Sequence, residues 1–275
     1  MYQTPNTGTP DEVEAQGMPL DASVTAGGGA VNCRTPFLNG ASIEQVQYLL
    51  AEGEIELQGL FQWSSNYTFL VKISEGEMEA LAIYKPIKGE RPLWDFPEGT
   101  LALREMAAYL VSEALGWQLV PPTILREGPH GVGAVQLYVD ADPEQHYFTF
   151  GASHPGEAQR IALFDAVVNN ADRKAGHCLI DAQAHIWAID HGICFSAEPK
   201  LRSVIWDFAG LPIPAALMDE LRSLKRRLAG ELGRDLAQLL SQAEIRALKR
   251  RLKELIERGT FPLPGPERYY PWPLI

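Results

Sequence analysis

Residues 169–192 read NNADRKAGHCLIDAQAHIWAIDHG and place two acids at the ends of a predicted hairpin. Short apolar runs at 178–180 and 186–189 predict two strands around a turn. Asp172 precedes the first strand and Asp190 ends the second, so the hairpin would bring both carboxylates to one cleft. Phosphoryl transfer uses carboxylates to hold a divalent metal and to orient the attacking hydroxyl, with little covalent help from the protein. The stretch therefore predicts a phosphotransferase centre.

Lys85 supplies the cation that such a centre requires, and Glu105 is its predicted partner. Lys85 ends a predicted strand, and Pro86 holds it extended because the residue before proline disfavours the α region. Glu105 lies on a predicted helix, from which it can pair with Lys85 and fix the ammonium. Alone, each of the four residues has an ordinary structural interpretation as a turn, strand end or surface charge. Their order and spacing together favour the catalytic interpretation.

The chain before the hairpin predicts an α+β lobe at residues 37–139. Ser42 and Gln45 have the spacing of a capping box, ahead of a helix that Gly53 ends. Thr100 is predicted to cap a second helix at 101–115. Apolar runs predict five strands, at 55–62, 67–73, 80–85, 123–126 and 132–139.

Residues 140–275 predict a second, mainly helical lobe. A connector at 140–153 leads to a helix at 156–168, with Ile161, Phe164 and Val168 on one face. The chain is expected to become helical again after Asp190. Amphipathic patterns predict two long helices, at 214–228 and 241–258, and Ser241 and Glu244 have the spacing of a capping box at the start of the second.

The two ends of the chain have a different composition. Residues 1–36 are rich in Thr, Pro, Gly and Ala, which predicts a disordered tail. Residues 261–275 contain five prolines together with Tyr269, Tyr270 and Trp272. They predict an extended strap, with a proline-rich segment that binds a protein partner as the alternative.

Composition narrows the class of protein. The formal net charge of −11 makes it unfavourable for the protein to attract nucleic acid or an anionic membrane through its overall electrostatic field. Cys33, Cys178 and Cys194 have no CxxC spacing, which is typical of a reduced intracellular protein. No signal-peptide pattern is found, and no apolar run approaches the ~20 residues that span a bilayer. A cytoplasmic protein without stable membrane association is expected.

Several stretches resemble one kinase superfamily. Residues 82–86 (AIYKP), 104–110 (REMAAYL) and 134–138 (AVQLY) resemble the ATP-lysine strand, the glutamate helix and the hinge strand of the phosphatidylinositol 3-/4-kinase superfamily. Residues 169–173 and 189–192 resemble its catalytic loop and its metal-binding Asp-x-Gly turn. The type II phosphatidylinositol 4-kinase branch looks most similar, and 202–207 (RSVIWD) resembles a bacterial branch described as phosphatidylinositol kinase-like. The resemblance runs from about residue 55 to about residue 215 and implies a bilobal, protein-kinase-like fold.

The resemblance implies a role for each matching residue. Lys85 would contact the α- and β-phosphates of ATP, and Glu105 would orient Lys85. Asp172 would position the acceptor hydroxyl, and Asp190 would bind Mg²⁺ or Mn²⁺. The backbone of the hinge strand would receive the adenine, at Gln136, Leu137 and Tyr138.

His177 departs from the pattern, because kinase loops of this kind usually carry a metal-binding asparagine at that position. Imidazole suits Mn²⁺ or Zn²⁺ better than Mg²⁺, which prefers oxygen ligands. His177 is therefore a candidate metal ligand beside Asp190. Contact with phosphate, loss of the second metal and a purely structural histidine are the open alternatives.

The predicted phosphate-covering loop, QWSSNYT at residues 62–68, contains no glycine. A glycine-rich loop lets backbone N–H groups approach phosphates closely. Here the contacts would come from Ser64, Ser65 and Asn66. For Arg173 and Lys174, contact with an anionic substrate and a role in neutralising the loop are both open.

Two functional hypotheses follow. The first is a kinase-like enzyme that uses ATP and a divalent metal to phosphorylate a hydroxyl of a lipid, a protein or a small molecule. The second is a nucleotide-binding pseudokinase that acts as a regulatory module, which His177 and the glycine-free loop favour. The presence of both acids, the lysine and the glutamate favours the first.

Overall fold

The computed structural model describes residues 41–61, 64–266 and 268–275, and the predicted disordered tail at 1–36 lies outside them. The described part has two lobes, an N-lobe built on a β-sheet and a mainly helical C-lobe. The predicted α+β, bilobal class is therefore confirmed. No described helix is both long and apolar enough to cross a membrane.

The N-lobe is a five-stranded antiparallel sheet with two helices. Its elements are α1 (Ile43–Glu52), β1 (Glu54–Leu60), β2 (Phe69–Glu75), β3 (Met78–Pro86), α2 (Leu101–Leu115), β4 (Thr123–Gly128) and β5 (Gly131–Leu137). The strand order is β1-β2-β3-β5-β4, so β3, which carries Lys85, is the central strand. Val46, Leu49 and Leu50 recur at helical spacing on α1 and are fully buried against the sheet.

The helix signals of the N-lobe are confirmed for α1 and corrected for α2. Ser42 and Gln45 form the predicted capping box, and Gly53 ends α1. α2 has the predicted bounds, but the Thr100 side chain makes no cap hydrogen bond. Instead, the carboxylate of Glu90 accepts the N–H groups of Leu101 at 3.0 Å and Ala102 at 2.8 Å. A carboxylate satisfies these free donors and also complements the helix dipole.

The C-lobe surrounds a large apolar core. Its elements are α3 (Tyr147–Phe150), α4 (Pro155–Val168), β6 (Cys178–Ile180), β7 (Ile186–Ala188), α5 (Ala215–Arg227), α6 (Glu231–Leu239) and α7 (Gln242–Arg258). The predicted face of α4, with Ile161, Phe164 and Val168, is buried in this core together with Leu221 and Leu248. Three single-turn 3₁₀ helices complete the described elements, at Ile87–Gly89, Gly151–Ser153 and Ala175–His177.

One expectation about the C-lobe is wrong, and two of its helices were not predicted. The chain does not become helical directly after Asp190, because residues 191–214 form turns and loops until α5 begins. Prolines at 199, 212 and 214 cannot donate a backbone hydrogen bond, which works against a continuous helix there. The short helices α3 and α6 were not predicted.

α2 contacts both lobes. Its apolar residues are buried in the C-lobe core, where the helix packs against α5 and α6, while it also contacts β4 and β5. The helix that carries Glu105 is therefore fixed by contacts from two sides.

Candidate functional site

The ammonium of Lys85 contacts two carboxylates. Lys85 Nζ lies 2.5 Å from Glu105 Oε1 and 2.9 Å from Asp190 Oδ1. Burial alone disfavours the ammonium, but the carboxylates of Asp190 and Glu105 raise the pKa of Lys85 above its ordinary value. The structure thus joins the end of β3, helix α2 and the turn after β7 through one cation.

Glu105 connects the lysine to the turn that carries Asp190. While Oε1 accepts from Lys85, Oε2 accepts the backbone N–H of His191 at 2.9 Å. The glutamate is 2% exposed, so both carboxylate oxygens are satisfied inside the protein. Its position fixes the ammonium relative to the turn.

Asp190 occupies a left-handed backbone conformation with φ of 62°. Aspartate tolerates this region better than most residues, and the conformation turns the chain sharply after β7. The side chain is half exposed. The nearby ammonium of Lys85 lowers the pKa of Asp190, which keeps the carboxylate ionised.

Asp172 lies in the loop after α4, partly buried. Its backbone N–H donates to Asn170 Oδ1 at 2.9 Å, and its Oδ2 lies 3.2 Å from Lys174 Nζ. Burial raises the pKa of Asp172, and the charge of Asp190 is close enough to raise it further. The two acids therefore differ: Asp190 stays ionised, and Asp172 has an increased affinity for a proton.

Arg173 has no exposed surface and is a structural residue of this loop. Its Nε lies 3.0 Å from Asp165 Oδ2, its Nη1 donates to the carbonyl of Ile189 at 2.8 Å, and its Nη2 lies 2.7 Å from His191 Nε2. Of the two open interpretations, the neutralised loop is the one that the geometry supports. Lys174 pairs with Asp172.

His177 contacts the second oxygen of Asp190, with 3.4 Å between Nε2 and Oδ2. Burial lowers the pKa of His177 to about 4, so its imidazole is neutral at physiological pH. Its Nδ1 lies 3.4 Å from the N–H of Lys174. The described residues hold no group of three or more His, Cys, Asp and Glu side chains that suits a metal ion. A metal here would take one or two protein ligands, as Mg²⁺ commonly does when phosphates and water supply the rest.

The predicted nucleotide loop uses some of its polar groups within the protein. Ser64 Oγ lies 2.8 Å from Thr68 Oγ1, and Asn66 Oδ1 accepts the N–H of Arg91 at 2.8 Å. Ser65 is exposed. Gln62 and Trp63 of the same loop lie outside the described residues.

The residues that were predicted to contact adenine already make hydrogen bonds within the protein. The N–H of Leu137 donates to the carbonyl of Pro122 at 2.8 Å, and that of Tyr138 donates to Leu81 at 3.0 Å. Gln136 is buried, and its amide donates to Thr123 Oγ1. These N–H groups already bond within the protein, so an adenine at this strand would have to use other backbone groups of the strand or of the residues after it.

Two structural supports of the site were missed by sequence reasoning. Asn169 caps α4 in a left-handed conformation, and its amide nitrogen donates to the carbonyls of Ser196 at 3.0 Å and Glu198 at 2.7 Å. Arg104, beside Glu105, is 1% exposed. The Asn-Asn pair at 169–170 was a signal for the first. Nothing local indicated that Arg104 would be buried, because its partners are distant in sequence.

The proline-rich end of the chain packs against the loop that carries Asp172 as an extended strap. The carbonyl of Leu274 accepts the N–H of Ala175 at 2.8 Å. The carbonyl of Tyr269 accepts the N–H of Ser203 at 3.0 Å and the indole N–H of Trp206 at 3.2 Å. The strap therefore supports the loop of Asp172 through a backbone hydrogen bond to Ala175.

The chain is similar to a bacterial protein over most of its length. It is 40% identical over 260 residues to Protein Rv2133c of Mycobacterium tuberculosis (strain ATCC 25618 / H37Rv), covering 82% of this chain and 94% of that protein. No family model matches the chain.

More distant similarity is found to plant kinases. The chain is 31% identical over 166 residues to phosphatidylinositol 4-kinase gamma 4 of Oryza sativa subsp. japonica, covering 47% of this chain and 29% of that protein. It is 25% identical over 209 residues to phosphatidylinositol 4-kinase gamma 2 of Arabidopsis thaliana, covering 57% of this chain and 38% of that protein. The alignments thus span well under half of either plant protein. Among solved structures, the Helicobacter pylori proinflammatory kinase CtkA aligns with a TM-score of 0.49 and 12% identity, covering 77% of this chain and 94% of that one.

Proposed function

The chain belongs to the family of Protein Rv2133c, and we propose that it is a phosphotransferase that moves the γ-phosphate of ATP to a hydroxyl group with the help of a divalent metal. The similarity to proteins named phosphatidylinositol 4-kinases supports the kinase-type reaction.

One observation carries the proposal: a single lysine ammonium contacts both Glu105 and Asp190. The charge of Asp190 in turn acts on Asp172. A phosphoryl-transfer site needs a fixed cation for the phosphates and two acids with different tasks. Glu105 fixes Lys85 from the protein side. An α- or β-phosphate would then replace Asp190 as the second anion beside the ammonium.

Asp172 has the environment of a residue that handles a proton. Its raised pKa brings it closer to the pH at which a carboxylate exchanges a proton with a substrate hydroxyl. Asp190, whose pKa is lowered, stays an anion. The difference supports acceptor positioning by Asp172 and metal binding by Asp190.

The donor chemistry of the site fits a divalent metal. Asp190 supplies a half-exposed carboxylate, and neutral His177 lies beside its Oδ2. A bound Mg²⁺ or Mn²⁺ would neutralise negative charge on the phosphates. Asp190 would hold it first. His177 would join as a ligand through Nε2, the nitrogen that faces Asp190.

The acceptor is proposed only as a hydroxyl group. Three acceptors deserve a direct comparison: phosphatidylinositol, because the plant relatives are named for it, a serine- or threonine-containing protein, and the chain itself. The alternative function, a nucleotide-binding pseudokinase, draws support from His177 at the position of the expected asparagine.

The decisive experiment incubates the purified chain with γ-labelled ATP and each acceptor, with Mg²⁺ or Mn²⁺, beside D172N and D190N variants. We expect metal-dependent transfer that both variants reduce by about 10²-fold or more, the usual contribution of a positioned acid or base. ATP binding without transfer to any acceptor would favour the pseudokinase. Full activity in both variants would overturn the assignment of the site.

A further inference from the structure

Arg104 and Glu105 are neighbours on α2 that bind two different parts of the C-lobe. Glu105 accepts the N–H of His191, at the turn of Asp190. Arg104 Nη1 donates to the carbonyl of Cys194 at 2.7 Å. Helix α2 therefore holds the segment 191–194 at both of its ends.

Arg104 is also anchored to a distant helix of the C-lobe. Its Nη2 lies 2.5 Å from Glu244 Oε1 at the start of α7, and its guanidinium carbon lies 4.9 Å from the centre of the Phe96 ring. With 1% of its surface exposed, the guanidinium is held by protein groups alone. Such a buried charge depends strongly on its partner, because an unpaired charge in the interior is very unfavourable.

Glu244 is itself fixed by the end of α7. Its Oε2 accepts the backbone N–H of Ser241 at 2.8 Å and the Ser241 hydroxyl at 2.7 Å, in the capping box that the sequence predicts. One carboxylate thus caps α7 with one oxygen and holds Arg104 with the other. Through Arg104 and Glu244, helix α2 is fixed to the start of α7.

We propose that Arg104 and Glu244 are positioning residues that keep Glu105 against Lys85 and His191, so that the chain holds this catalytic pair formed without an activating partner or modification. The part about catalysis rests on the function proposed above. The geometric part does not, because it concerns the contact between Glu105 and the turn of Asp190.

The test compares E244A, E244Q and S241A. E244A removes both the contact with Arg104 and the cap of α7. E244Q keeps an oxygen that can accept from Arg104. S241A weakens the cap of α7 without changing the Arg104 contact. The first measurement is the hydrogen-exchange rate of the His191 amide, which needs no enzymatic activity. The second is kcat and the KM for ATP.

In E244A we expect the His191 amide to exchange about tenfold faster or more, the effect of losing one charge-assisted hydrogen bond, with a parallel fall in kcat. E244Q should recover part of both losses, and S241A should match the wild type in both measurements despite a weaker cap of α7.

If E244A unfolds, the comparison of E244Q with S241A tests the proposal instead. Equal effects of E244Q and S241A, or unchanged His191 exchange in E244A, would overturn the proposal. Altered exchange in a chain that transfers no phosphate would leave the positioning role intact and refute the proposed function.

Discussion

Arg173 Nη1 lies 2.8 Å from the carbonyl oxygen of Ile189, the residue before Asp190. The same side chain follows Asp172 in sequence and contacts His191, the residue after Asp190. A single guanidinium thereby ties the loop of one acid to both neighbours of the other. The spacing of the two acids depends on this buried side chain.

Replacing Arg173 by methionine should destabilise the fold strongly. Asp165, which has no exposed surface, would lose its cation, and breaking a buried pair from one side costs about 3–5 kcal/mol. Denaturant unfolding of R173M measures the loss. In the double variant D165N/R173M the cost should be clearly smaller than the sum of the single costs, because no unpaired charge remains. Additive single costs would show that the ion pair is not the source of the effect.

Replacing Glu90 by alanine should loosen the start of α2. The carboxylate accepts the N–H groups of Leu101 and Ala102, and loss of a helix cap typically costs about 1 kcal/mol. Hydrogen exchange of these two amides should accelerate in E90A. T100A is the matched control, since Thr100 does not cap the helix and its removal should leave both amides protected. Faster exchange in T100A than in E90A would restore the threonine as the cap.

Replacing His177 by asparagine should change the preferred metal. An amide oxygen suits Mg²⁺, whereas imidazole suits softer ions such as Mn²⁺. We expect the ratio of Mg²⁺-supported to Mn²⁺-supported activity to rise in H177N relative to the wild type. H177A serves as the comparison, because it offers no ligand to either ion. An unchanged ratio in H177N would contradict the proposal that His177 is a metal ligand.

The stabilising effect of Glu244 should disappear in acid. Burial opposes its ionisation, but hydrogen bonds from Arg104 and Ser241 prevail and lower its pKa. The unfolded chain then takes up a proton first as the pH falls, so the contribution is complete above the ordinary glutamate pKa of ~4.3 and is lost below it. The difference in unfolding free energy between wild type and E244Q should therefore be constant near neutral pH and shrink in acid. A difference that grows in acid would contradict the assignment.

Local signals in the sequence predicted the fold well where both partners are close in the chain. The capping boxes at Ser42 and Ser241 each join residues three positions apart, and both are present. The cap of α2 was missed because its carboxylate comes from Glu90, in a loop that folds back from β3. The chain was expected to become helical after Asp190, yet residues 191–214 are irregular and held by contacts with other segments, such as that of Cys194 with Arg104.

The candidate site could be predicted as a set of residues but not as a geometry. Order and spacing selected Lys85, Glu105, Asp172 and Asp190, and the structure pairs Lys85 with both Glu105 and Asp190. The charge of Asp190 also acts on Asp172. Their roles in catalysis stay predictions. Arg173 can be buried because it pairs with Asp165, a fully buried residue of α4. No local pattern distinguishes such a buried arginine from one that meets substrate.

The hydrogen bond between Ala175 and Leu274 has a consequence for biosynthesis. Protein chains leave the ribosome from the N-terminus, and their domains tend to fold in that order. The loop of Asp172 emerges long before the strap that supports it. During translation the nascent chain therefore carries this loop without its final support, and the loop reaches its full set of contacts only when the strap has been synthesised and has packed against it.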